Sequence, residues 1–217
     1  MKAKSNTSTL SMVQLALFSA IILAMAFIPG LGYIPLGVTR ATIIHLPVII
    51  GSLLLGPKKG AFLGGVFGLT SLINNTFSPT VTSFTFSPFY SGGNPWSLVI
   101  CFVPRILIGI LPYFVYLGLH TLYKKLHAEN NQILDTIALG ASGFAGAFIN
   151  TPLVMSLIYF CCGHSYAAAK GTSYDTLYSV ILGVVALNGV LEAIVATIVT
   201  AVVCKVLLRV LKRNVLS

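Results

Sequence analysis

Six long apolar runs, separated by short polar or Gly/Pro-rich breaks, set the pattern of this chain; they cover residues 11–28, 39–55, 60–75, 95–124, 133–160 and 177–206. Runs of this kind predict helices, and about 20 apolar residues suffice to cross the hydrocarbon core of a bilayer. The breaks carry stop and start chemistry. Pro29-Gly30 closes the first run and Gly56-Pro57 the second. Pro95 opens the fourth, where its missing N–H has no helical partner to lose. Pro47, Pro104 and Pro112 lie inside runs. The last three runs exceed the bilayer requirement, so tilt or protrusion is expected. Polar stretches at residues 30–38, 76–94 and 162–176 are expected as loops on one side, and a hydrophilic hinge at 124–132 on the other. The prediction is all-α: an integral membrane bundle of six transmembrane helices, one membrane domain over residues 1–217.

Composition sharpens this. The chain is 56% hydrophobic and 8% charged, against about 25% charged in soluble domains. A net charge of +9 would suit nucleic acid. The cations, however, gather between apolar runs and form no aromatic-interleaved stripe, so no nucleic-acid partner is expected. With six crossings, Lys2, Lys4, Lys58, Lys59, Lys124, Lys125, Lys205, Arg209, Lys212 and Arg213 share one side, and only Arg40 and Lys170 face the other. The positive-inside rule then puts both termini in the cytoplasm, and five or seven crossings would scatter the charges. The first run is long enough to span and no A-x-A site closes it, so it is expected to persist as a helix. Cys101, Cys161, Cys162 and Cys204 have no metal or CxxC spacing and read as small apolar residues.

Small residues recur every fourth position at Ala16, Ala20 and Ala24 and again at Gly60, Gly64 and Gly68. Such a stripe lets helix backbones approach closely in lipid, either inside the bundle or against another membrane subunit.

Polar residues in the runs are costly and need a reason. Arg105 lies about ten residues into the fourth run, roughly 15 Å along a helix. Pro104 before it leaves the carbonyl of Ile100 without its helical donor. A guanidinium at that depth needs Glu192 as a counter-charge, an anionic ligand, or a route to snorkel to the surface. His45, Asn74, Asn75, Asn150, Asn188 and Glu192 sit at comparable depth, which suggests a polar cavity open to the outside. Tyr33, Tyr90, Trp96 and Tyr113 could wall it, although Trp96 equally suits an interfacial anchor.

The acids number four: Glu129, Asp135, Asp175 and Glu192. No acid–base pair, HExxH, GxSxG, metal-spaced cluster or phosphate loop is present, so a membrane enzyme is disfavoured and no cofactor or metal is expected in this chain. The chain is also short for a transporter built of two repeats.

Several stretches together resemble a known family. These are the Ala16/Ala20/Ala24 face, residues 43–51 with His45 and Pro47, residues 55–64, Ser83-Phe84 through residues 87–91, and Phe102-Val103-Pro104-Arg105-Ile106-Leu107. They resemble the substrate-binding S components of energy-coupling factor (ECF) vitamin transporters, in particular the pantothenate-type branch, with pyridoxine-, hydroxymethylpyrimidine- and folate-type S components as alternatives. An assembly subunit without a ligand is a more distant one. The resemblance implies a multi-pass protein of a bacterial plasma membrane that binds a vitamin from outside. It also implies docking on a transmembrane T subunit carried by two ATPase subunits that hydrolyse ATP. Arg105, Asn75, Asn150, Asn188, His45 and Tyr90 become the expected vitamin contacts, with Arg105 on the carboxylate. Ala16, Ala20 and Ala24 become the docking face, and loops 30–38 and 76–94 the lids.

Overall fold

The computed structural model describes residues 2–28, 30–36, 39–126, 132–211 and 215, with residues 2–8, 33–36 and 39–41 described by their backbone alone. Each apolar run becomes a helix: α1 Lys2–Phe27, α2 His45–Leu55, α3 Pro57–Phe77, α4 Trp96–Lys125, α5 Gln132–Lys170 and α6 Tyr174–Leu211. The expected six-helix membrane bundle is therefore observed. Four of the helices, α1, α4, α5 and α6, are long and apolar enough to cross a membrane. Large apolar side chains such as Leu17, Phe160, Leu187 and Val206 point outward along them, as lipid-facing surfaces require.

The second run departs from expectation. Its first residues form strand β2, Thr39–Thr42, which pairs antiparallel with β1, Tyr33–Leu36, so that Tyr33 faces Thr42 and Leu36 faces Thr39. Within the expected loop 30–38, residues 33–36 thus form one arm of a hairpin. Helix α2 keeps 11 residues, a rise of about 16 Å, roughly half the apolar thickness of a bilayer. Gly56, at φ 87°, then reverses the chain into α3 in a conformation that other residues resist.

The expected loop 162–176 is also mostly helix. α5 bends at Cys162 (φ −140°, ψ 17°) and continues to Lys170. The polar residues that suggested a loop instead line a helical extension, where His164 stacks on Tyr174 at 4.1 Å between ring centroids. Helix α6 contains a π turn at Val185–Gly189, which holds Asn188.

Of the expected loop 76–94, residues 76 and 77 end α3 and the rest is irregular, with a single 3-10 turn at Ser83–Thr85. It is tightly tied rather than loose. Ser83 donates to Asn75 Oδ1 at 2.8 Å and accepts from the Thr80 N–H at 2.8 Å. Thr76 and Ser87 share a 2.7 Å hydroxyl bond, and Ser97 donates to the Phe84 carbonyl at 2.7 Å.

The core is close-packed through glycine. A Cβ on Gly60 or Gly64 would collide with the carbonyl oxygen of Gly109 or of Arg105, and one on Gly68 with the Phe102 ring. The α3 stripe is therefore internal packing against α4. The alanines of α1 are different: Ala16, Ala20 and Ala24 are all exposed. At the opposite end from the hairpin, Lys59 bonds Ser11, Lys205 donates to Thr136 at 2.8 Å, and Tyr116 donates to Asp135.

Candidate functional site

Arg105 is held by the defect beside it. Pro104 cannot donate to Ile100, and the Arg105 guanidinium takes its place, with Nη1 2.9 Å from the Ile100 carbonyl oxygen. The side chain curls back along its own helix, which keeps it at depth and leaves it 8% exposed. Two aromatic rings flank it. The guanidinium carbon lies 5.6 Å from the Phe67 centroid and 5.1 Å from that of Phe86, within the range of cation–π attraction. Among the described residues Nε has no hydrogen-bond partner. A buried guanidinium nitrogen without an acceptor is costly, so an acceptor brought by a ligand would be favoured there.

Arg105 opens onto a cavity of about 540 Å³. Helix α3 gives it Ser71, Asn74 and Asn75, and the tied segment adds Ser78, Thr80, Thr82 and Phe86. Helix α5 supplies Met155, Ile158, Tyr166 and Lys170, helix α6 Val184 and Asn188, and the root of the hairpin Thr42. Among the described residues the lining carries two cations, Arg105 and Lys170, and no carboxylate. Lys170 lies with Nζ 5.9 Å from the Tyr166 ring centroid. The polar donors, amides and hydroxyls over a partly apolar wall suit a small hydroxylated anion.

The alternative counter-charge for Arg105 is engaged elsewhere. Glu192 Oε1 accepts the Thr42 backbone N–H at 2.6 Å, and Oε2 accepts the Thr151 hydroxyl at 3.1 Å. Among the described residues Arg105 and Glu192 make no ion pair at contact distance.

Of the residues expected at the site, the cavity brings together Arg105, Asn75 and Asn188. Asn75 is committed in part to the scaffold, since its amide donates to Ser71 and its Oδ1 accepts from Ser83. His45, Asn150 and Tyr90 do not line the cavity. His45 is 1% and Asn150 7% exposed, both buried within the bundle. Among the described residues the side-chain carbonyl oxygen of Asn150 has no hydrogen-bond partner. Tyr90 packs on the buried cluster around Phe84, Ile100 and Ile158. Tyr113 packs on the inner core, and Trp96 is 58% exposed, as an interfacial anchor would be; the Tyr33 side chain lies outside the described residues. The aromatic walls are instead Phe86 and Tyr166, and Lys170 is the second cation. Apart from the charge of Lys170, no local pattern in the sequence marks these residues.

Residues 10–204 match the family described as "ECF transporter, substrate-specific component". The chain is 36% identical over 200 residues to the pantothenic acid transporter PanT of Lactococcus lactis subsp. cremoris, covering 87% of this chain and 93% of that one. It is 33% identical over 191 residues to the pantothenate transporter PanT of Leuconostoc mesenteroides subsp. mesenteroides, covering 86% of each. A helical bundle built around a cationic cavity agrees with a match that spans nearly the whole chain, and the protein belongs to the family of substrate-specific components of ECF transporters.

Proposed function

We propose that this S component binds pantothenate from outside the cell, with the vitamin's carboxylate on Arg105 and its amide and hydroxyl groups against Asn74, Asn188 and the serines and threonines of the cavity. The observation that carries this reading is the buried guanidinium: among the described residues it faces a cavity with no lining carboxylate, and its Nε has no acceptor. A neutral vitamin such as pyridoxine would bring no anionic acceptor to that guanidinium. The names of the relatives from Lactococcus and Leuconostoc support the same ligand.

In this reading the exposed Ala16, Ala20 and Ala24 face docks on a transmembrane T subunit carried by two ATPase subunits. Both termini lie in the cytoplasm and the protein sits in a bacterial plasma membrane, with the lysine-rich end inward. The tied segment 76–94 then acts as a fixed wall, and of the two outer stretches the hairpin at residues 33–42 is the better lid. Equilibrium binding to purified protein tests the ligand. Saturable binding of pantothenate, with none of pyridoxine at the same concentrations, is expected; the reverse pattern contradicts the assignment.

A further inference from the structure

Glu192 is a buried acid in the bundle that lies outside the cavity lining. It is 6% exposed, sits in an apolar helix, and forms no contact ion pair with Arg105. A buried carboxylate is tolerated only where hydrogen bonds replace its lost water. Both oxygens have such bonds, and they come from different parts of the fold. Thr151 belongs to α5, whereas Thr42 ends β2 at the open end of the hairpin, where Tyr33 pairs with it. Thr42 also lines the cavity. The same root is fastened from below. Ile43 N–H donates to the Gly32 carbonyl at 3.0 Å, and Gly32 sits so close to α1 that a Cβ would strike the Met25 carbonyl oxygen. Glu192 is the side chain that carries this root across to α5 and α6, through a carboxylate-to-amide bond of the stronger, charge-assisted kind.

We infer that Glu192 is a positioning residue: it clamps the root of the hairpin at the edge of the cavity and so sets how fast a bound ligand escapes rather than which ligand is recognised. The ligand half of this inference rests on the cavity being the pantothenate site; the clamp itself does not. The competing role is a counter-charge that tempers Arg105, and the two roles move different observables.

The test compares the wild type with Glu192→Ala and Glu192→Gln. Amide hydrogen exchange over residues 39–44 is measured without ligand, and association and dissociation rates are measured with pantothenate. For Glu192→Ala, exchange at the hairpin root should accelerate roughly ten- to a hundredfold, the scale of a hydrogen bond to a charged group. Exchange within α3 should stay unchanged. Pantothenate dissociation should quicken by a similar factor, with association altered by less than about threefold. Glu192→Gln retains an acceptor oxygen, so a smaller rise of about fivefold in both readings is expected, and it carries the test if the alanine variant does not fold. Unchanged exchange at the root in the variants overturns the clamp. So does tighter binding through faster association in Glu192→Gln, which would make Glu192 the counter-charge of Arg105. A wild type that fails to bind pantothenate sinks the functional reading, while the exchange result still decides the clamp.

Discussion

Two stripes of small residues run along this bundle at the same four-residue spacing, and they have opposite fates. Gly60, Gly64 and Gly68 of α3 are buried against α4, where even one methyl group would strike a carbonyl oxygen or a ring. Ala16, Ala20 and Ala24 of α1 are exposed, beside outward-pointing Val13, Leu17 and Ile21. The spacing says only that something can approach closely. The residue type then distinguishes the two: glycine stands where backbones already touch, and alanine on a face that is still open. In a membrane an open small-residue face suits a helix of another chain, because apolar surface alone does not drive association there.

Filling the glycine stripe should have the larger effect. Gly60→Leu is expected to abolish the folded protein, or to lower its thermal stability in detergent by more than the roughly 1–3 kcal/mol of ordinary overpacking, because neither facing backbone can move away. Filling the alanine stripe should leave the isolated protein intact. Ala20→Leu is expected to change stability by no more than about 0.5 kcal/mol and to spare pantothenate binding. It should nevertheless cut uptake in cells by at least about tenfold, since the added side chain holds the partner backbone away. If Ala20→Leu lost binding and uptake together, the comparison would break, because the alanines would then be packing residues like the glycines. A smaller effect tests the walls of the site: Phe86→Leu retains apolar bulk and removes one ring from Arg105, so pantothenate affinity should fall about two- to thirtyfold, corresponding to roughly 0.5–2 kcal/mol of cation–π attraction.

The sequence carried depth better than direction. Length and apolar runs placed all six helices, and Arg105, the charge after a proline, is buried as its depth in the run implied. His45 and Asn150 are buried in the bundle, yet they do not line the cavity, because rotation about a helix axis is set by packing. Phe67 and Phe86 reach Arg105 from α3 and from the tied outer segment, contacts that no local pattern encodes. The hairpin was hidden because Thr39 to Thr42 run straight into the apolar α2. The helical end of α5 was hidden because residues beyond the bilayer need not be apolar to stay helical.

The account stands on Arg105 gripping a carboxylate, and one thermodynamic cycle tests that grip: wild type and Arg105→Ala, each titrated with pantothenate and with its neutral alcohol analogue. For pantothenate the substitution should cost about 2–5 kcal/mol, thirtyfold or more in Kd, while the alcohol, weakly bound by the wild type, should lose little further. An equal loss for both ligands would contradict the account, because the arginine would then be supporting the cavity rather than recognising the charge.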